Sequence, residues 1–477
     1  MKSVSSFSLR GSSFGVQYLV RALSLMLLTS VMFGQTVKTL VNFNGANGAS
    51  PEGGTWTQGR DGKLYGTTMG GGSLGGGTFL RFNPATQNIT VYHSFGGSGD
   101  GAEPNGGVTL GSDNNFYGTT EVGGCCNPGG VLYKITVNGT YTILHIFTGG
   151  SDGGCPSGPP IEATDGNFYG ATYGDCFNGG YIPSTIYKLT RDGVYSVLYT
   201  FNKATTGSGA GYLMQGSDGK LYVPATSKGP GCGKGGTIVK VALSGRLLAT
   251  HPFFCSPAGN EPSIAALTQA SDGNYYGTTL RRGSSGGDTL FQLTPAFGVT
   301  FLYSFGFPRI FGNPNGSLVE GTDGNLYGTT FEGPSGQGST LYQWSLSTGY
   351  RQLYVFPSLD SHTSSGLMQH TSGLFYGVTI NDGTHAGGTI FSLDMGLGPF
   401  VALVRPHGKV GSNAQILGQG LIGTTAVTFN GTPAATFNVV SDTYMTAVVP
   451  SGATTGKIVV TTPTGSLKSN RNFTVTP

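Results

Sequence analysis

The sequence predicts an all-β protein: a seven-bladed β-propeller followed by a small β-sandwich. Three observations carry that expectation. Gly accounts for 85 of 477 residues alongside 23 Tyr and 28 Phe, and no apolar stretch keeps helical spacing. A turn-plus-strand motif, Ser271-Asp272-Gly273-Asn274-Tyr275-Tyr276-Gly277-Thr278-Thr279 in its fifth copy, returns seven times. Its Tyr falls at Tyr65, Tyr117, Tyr169, Tyr222, Tyr276, Tyr327 and Tyr376, at intervals of 52, 52, 53, 54, 51 and 49 residues. Periods near 50 belong to propellers or solenoids.

One period divides into four strands, the content of a propeller blade. The first follows a Pro- and Gly-rich turn, as in Pro104-Asn105-Gly106-Gly107-Val108-Thr109-Leu110. An Asp-Gly turn then leads into the Tyr-Gly-Thr-Thr strand, a hairpin signal in which Gly supplies the positive φ of the turn. After a longer Gly-rich loop come a third strand, such as Gly388-Thr389-Ile390-Phe391, and a fourth ending in Phe, such as Thr140 to Phe147. The array begins with a fourth-type strand, Thr36 to Phe43, and its last period stops after a third strand at Leu393. An amino-terminal strand completing the final blade would hide the open edge of the array. Phe400 to Val404 competes for that place.

Within the motif, Tyr and Gly point to opposite faces of the strand. Each Tyr is expected against the bare Gly of an adjacent blade. Asn114 and Ser372 replace turn residues in two copies and are residues that turns accept, so the Asp reads as a turn former rather than a calcium ligand. Tyr222-Val223-Pro224-Ala225-Thr226 is one residue wider than its counterparts and predicts a bulge.

The flanks set the remaining boundaries. Residues 1–34 carry Lys2, Arg10 and Arg21, then an apolar run of about a dozen residues ending at Gly34-Gln35, the layout of a secretory signal peptide. The run is short of the roughly 20 residues of an unaided span, and an uncleaved anchor is the alternative. The propeller occupies 35–397. Residues 398–477 show about seven short candidate strands, from Phe400 to Val475, and read as the sandwich. The chain is therefore expected to be secreted, extracellular or on the cell surface, with the periplasm as an option and no membrane span after signal cleavage.

Charged residues make up only 10% of the chain and the net charge is +3, without a Lys/Arg cluster, which speaks against nucleic acid as a partner. The abundance of apolar residues, 37%, excludes disorder. No nucleophile elbow, phosphate loop or paired-His zinc motif appears, and no cofactor or metal is expected.

Strand alternation puts the long loops on one side and the tight turns on the other, and loops on a rigid scaffold carry binding and catalysis. Glu121, Lys228, Arg281, Arg282, Glu332 and Asp382, with Tyr173 and His385 nearby, follow the Tyr-Gly-Thr-Thr strands on the loop side and form the candidate ligand-binding set. Solvated loop charge is the plainer reading of them. All six cysteines fall on the same side. Cys232 with Cys255 is the favoured disulfide; Cys125, Cys126, Cys155 and Cys176 leave the rest open between Cys155 with Cys176 beside a vicinal pair, and a crossed arrangement.

The Ser-Asp-Gly-Asn-x-Tyr-Gly-Thr-Thr, Gly-Gly, Gly-Thr-Ile-Phe progression resembles the GloVer tandem-repeat family of exported bacterial proteins over roughly residues 36 to 395. The resemblance implies a repeat architecture and export, but no settled activity and no catalytic residue. The tail is similar to an IPT/TIG domain, an immunoglobulin-like module, through Gly418-Gln419-Gly420, Val427 to Gly431, Val449-Pro450, Gly456 to Val460 and Phe473-Thr474-Val475. That likeness implies a spacer or interaction domain. The expected function is a binding protein whose loop face engages a glycan or an extracellular protein. An extracellular polysaccharide hydrolase or lyase using Glu121 and Glu332 is the alternative.

Overall fold

The computed structural model describes residues 35–476, apart from 53, 125–128, 175–181, 228–235, 254–260, 263–266, 281–287, 306–311, 315, 334–337, 359–360 and 364. Residues 36–477 form one compact unit, to which the description below applies. Among the described residues there is no helix, and the strands build a propeller-like, all-β fold.

Seven of the sheets each contain one copy of the repeat, and they are called sheets 1 to 7 in chain order. Their second strands are Leu64–Thr68, Phe116–Thr120, Phe168–Thr172, Leu221–Ser227, Tyr275–Leu280, Leu326–Thr330 and Phe375–Thr379. In each sheet the short first strand lies at one edge and the half-exposed fourth strand at the other. Sheet 7 takes its outer strand from the amino end: Thr36–Asn42 runs antiparallel to Thr389–Asp394, Thr36 opposite Asp394 and Asn42 opposite Thr389. Phe400 to Val404 does not compete for that edge, because Ala402–Leu403 pairs with Asn413–Leu417 instead.

The repeat motif works as follows. Asp272 accepts the Asn274 amide on Oδ1 at 3.0 Å and the Tyr276 hydroxyl on Oδ2 at 2.7 Å, so one carboxylate fixes both the turn and the strand after it. The same Tyr-to-Asp bond recurs at Tyr65, Tyr117, Tyr169, Tyr222 and Tyr327. In sheet 7, Ser372 leaves Tyr376 without that acceptor, and the turn is held by His370 Nδ1, which accepts the Ser372 amide at 3.2 Å. Asn114 takes the glycine place with φ 68°.

The Tyr does not face the next sheet's Gly. Where the residue before the next Tyr is aromatic, it packs on that ring: Tyr65 on Phe116 at 4.2 Å, Tyr117 on Phe168 at 3.9 Å, Tyr222 on Tyr275 at 4.4 Å, Tyr327 on Phe375 at 4.5 Å. In sheets 2, 3, 5, 6 and 7 the bare Gly is covered from within its own sheet by the aromatic directly opposite on the third strand, as Gly118 by Tyr133, Gly277 by Phe291 and Gly328 by Tyr342; in sheet 1 Gly66 is covered by Trp56. The close approach that Gly marks is therefore a cross-strand one.

Val223-Pro224-Ala225 makes no bulge either. Leu221 to Ala225 pair one for one with Val241 to Thr237, so Val, Pro and Ala simply stand where Gly, Thr and Thr stand elsewhere. Proline has no amide to give, and the interruption appears in the first strand, split into Ser208–Ala210 and Met214–Gln215. In other sheets two threonines meet at this place, as Thr279 and Thr289 do at 2.6 Å. Here Ala225 leaves the buried Thr237 hydroxyl without a partner among the described residues. Register shifts lie instead between third and fourth strands, as between Leu290 and Phe291.

Beyond Phe400 the strands form two further sheets over one core that includes Ile416, Met445, Phe429, Ile458, Val460 and Phe473. The final strand, Gly465–Thr476, is long because its first part, through Phe473, pairs antiparallel with Gly456–Thr462 and its end, Thr474 to Thr476, pairs in parallel with His407–Lys409.

Candidate functional site

Six of the seven sheet-to-sheet seams on the turn side are bonded by the same pair of positions. The last residue of a first strand reaches back to the Ser or Thr in the preceding sheet's turn. Gln215 accepts the Thr164 amide and donates to its hydroxyl, at 2.9 and 3.0 Å, and Gln269 does the same to Ser217 at 2.8 and 2.9 Å. Glu162 accepts from Ser112, Glu320 from Ser271, and Gln369 bonds Thr322. Gln58 bonds Thr371, so sheet 1 is joined to sheet 7 across 313 residues of chain.

The carboxy-terminal unit sits on this turn side. Thr443 Oγ1 donates to Arg60 O, Gln419 Nε2 to Thr371 Oγ1, and Arg405 Nη2 to Ala163 O, while Arg405 also pairs with Glu162 at 3.5 Å. His407 lies at the same contact. Burial and the Arg405 charge push its imidazole down to about 4. A cleft of about 660 Å³ lies beside the contact, with Arg81, Tyr92 and Asn138 on the repeat side and Ser441, Asp442 and Tyr444 on the other.

On the loop side, a cluster of three carboxylates forms. Glu52 and Glu103 come from the loops leading into sheets 1 and 2, and Glu121 follows the second strand of sheet 2. The Glu121 amide donates to Glu103 O at 3.0 Å, which holds the two loops together. Asn105 Nδ2 donates to Glu121 Oε2 at 3.2 Å. Burial raises the Glu52 carboxyl above its ordinary range, and repulsion from Glu121 and Glu103 adds to it; burial, opposed by the Asn105 bond and reinforced by Glu103, raises Glu121. The Tyr212 ring packs on Gly158, and its hydroxyl is pushed up by burial and by the charges of Glu121 and Glu52. None of the three carboxylates has a Lys, Arg or His partner among the described residues.

Of the residues expected from sequence, Glu121 thus joins a cluster. Tyr173 occupies the equivalent place in sheet 3 but packs on Gly209, and its hydroxyl accepts from Thr226 Oγ1 at 3.4 Å. Glu332 lies one residue farther along its loop than Glu121 does. Its carbonyl accepts from Thr330 Oγ1, and it is not among the groups acting on Glu121. Asp382 Oδ1 accepts the Gly383 amide, and His385 Nδ1 bonds Thr384 Oγ1, both at an exposed tip. Lys228, Arg281 and Arg282 lie outside the described residues. Glu52 and Glu103 were missed, although each sits beside the loop proline, at Pro51-Glu52 and Glu103-Pro104. Cys155 is not a free thiol; Cys125, Cys126, Cys176, Cys232 and Cys255 lie outside the described residues. Among the described residues no group of three ligating side chains suits a metal ion, and no helix is long and apolar enough to cross a membrane.

The Gloeobacter/Verrucomicrobia repeat profile matches residues 27–211, 173–391 and 266–426, most of the chain. The chain belongs to the Gloeobacter/Verrucomicrobia repeat family. No curated protein matches it. Among solved structures it is similar to a streptogramin B lyase, at 14% identity over 77% of this chain and 99% of the other, with a TM-score of 0.53. A selenomethionine-substituted virginiamycin B lyase from Staphylococcus aureus is similar at 15% identity over 75% and 99%, with a TM-score of 0.51. These are β-propeller-like folds, and at such identities the likeness of this repeat-family member to them concerns fold alone.

Proposed function

We propose that this repeat-family protein is an exported binding protein: a seven-bladed propeller, with an immunoglobulin-like sandwich of IPT/TIG type on its turn face, that takes a glycan or an extracellular protein on its loop face. The observation that carries the reading is the gathering of Glu52, Glu103 and Glu121 beside Asn105 and Tyr212. In a chain with only 10% charged residues, three carboxylates without a described basic partner are available to a ligand. Carboxylates and an amide are acceptors and donors for sugar hydroxyls, and carboxylates also suit a basic peptide. A glycan array and a pull-down with the mature protein test the reading. Binding that weakens in Glu52→Ala and Glu121→Ala supports it, and blanks in both assays sink it.

A second reading, polysaccharide hydrolysis or elimination, is favoured by one specific feature. Glu52 and Glu121 are both raised by burial and like charge, the condition under which one carboxyl keeps its proton while another acts as base. Activity on a polysaccharide panel should then vanish in Glu52→Gln and Glu121→Gln; activity surviving both excludes these groups. Export is supported by the signal-like segment at 1–34. The preferred Cys232–Cys255 bridge is checked by mass mapping of the non-reduced protein.

A further inference from the structure

One seam departs from the repeat. The positions that elsewhere hold Gln or Glu and Ser or Thr are, between sheets 1 and 2, Leu110 and Arg60. Neither can make the usual bond. At this seam Gln415, from the carboxy-terminal unit, bridges the two sheets: its Nε2 donates to Ser112 O at 2.9 Å, and its Oε1 accepts from Arg60 Nη2 at 3.1 Å. Arg60 Nη2 also donates to Ser112 O at 2.8 Å, and the guanidinium lies 4.5 Å over the Tyr444 ring. Leu417 and Tyr444 share a core with Tyr65 and Phe116, the stacked rings of the same seam.

We propose that the carboxy-terminal unit is the missing clamp of the repeat array, holding sheet 1 to sheet 2 through Gln415 and Tyr444, and is not a free spacer. Six seams are clamped by the repeat's own Gln or Glu with Ser or Thr; the seventh has the Arg60-to-Ser112 O bond from within, and Gln415 completes it from outside. The same substitutions that remove the internal clamp create the receptor for the external one: Leu110 offers no amide, and Arg60, which donates but cannot accept as Ser does, suits an amide oxygen and an aromatic face. Leu110 correspondingly joins the apolar cluster that receives Tyr444.

The test is hydrogen exchange on the full chain, read at the turn amides of residues 59–62 and 111–115. In the natural protein, Gln415→Ala should speed exchange there roughly tenfold, a local opening made about 1.4 kcal/mol easier, and leave the turn at Ser217 unchanged. In a Leu110→Gln, Arg60→Ser background, which restores the repeat's own clamp, Gln415→Ala should have no effect. Unchanged exchange in the first case, or an undiminished effect in the second, overturns the proposal. If the restored chain does not fold, Tyr444→Leu in the natural chain decides: it should also open this seam selectively, and exchange that rises equally at all seams, or nowhere, overturns the proposal.

Discussion

At the level of single residues, the motif is a set of packing solutions and not chemistry. The third-strand aromatic over the Gly of sheets 2, 3, 5, 6 and 7 shows this most clearly. In sheets 5 and 7 it is Phe291 and Phe391, whereas in sheets 2, 3 and 6 it is Tyr133, Tyr187 and Tyr342, whose buried hydroxyls have no partner among the described residues. Leaving a buried hydroxyl unbonded costs about 1–3 kcal/mol. Tyr342→Phe should therefore fold at least as stably as the natural chain, with a melting temperature equal or higher; a clear drop would mean the hydroxyl is bonded. Gly277→Val should do the opposite. A Cβ there would stand 2.7 Å from Leu267 and 2.8 Å from Phe291, and overpacking of this kind costs about 1–3 kcal/mol. A thermal melt indistinguishable from the natural one would refute the packing account.

At the level of strands and turns, most of the fold could be read from the sequence, and the reasons are local. Asp-Gly turns, period-two strands and a Pro-marked first strand are set by neighbours in sequence, so the four-strand repeat and the closing strand Thr36–Asn42 are legible. Contacts made between elements are less so. The Tyr-to-Gly expectation failed because alternation says which face a side chain takes but not which element covers it. The bulge at Pro224 failed because a one-residue widening in an alignment was absorbed as substitution. The clamps were legible in principle, as Gln or Glu before the turn and Ser or Thr within it, and Leu110 with Arg60 as the one exception. The carboxylate cluster was only partly so: Glu52 and Glu121 are 69 positions apart in the sequence, and only folding puts them together.

The turn-side contacts also predict a pH dependence. His370, buried with Nε2 bonded to Gly62 O at 3.0 Å, is shifted down by burial, and His407 is pushed down to about 4. Both are held neutral in the folded chain, whereas unfolded His titrates near 6.5. Their contribution is thus fully present above pH ~6.5 and is lost as pH falls toward about 4. Glu52 and Glu121, raised in the fold, act in the opposite sense over part of that window, so the difference between variants is the useful quantity. His407→Asn should lose less stability than the natural chain between pH 7 and 4, by on the order of 2 kcal/mol. Parallel stability curves for the two chains would show that His407 is not held neutral.

At the level of the whole molecule, the two sides of the repeat array differ in kind. The turn side is bonded from sheet to sheet and covered in part by the carboxy-terminal unit, through Arg60, Ala163 and Thr371 of sheets 1, 3 and 7. The loop side carries the carboxylates that the rest of the chain leaves without a described basic partner. With the proposed function, stability and recognition fall at opposite ends of the same strands. The most direct measurement is a glycan array and pull-down run in parallel on the natural protein and on a Glu52→Gln, Glu103→Gln, Glu121→Gln chain with an unchanged melt. Ligands captured by the natural protein and lost by the triple variant are the predicted result. Ligands retained in full by the triple variant would contradict the account and move the site away from these carboxylates.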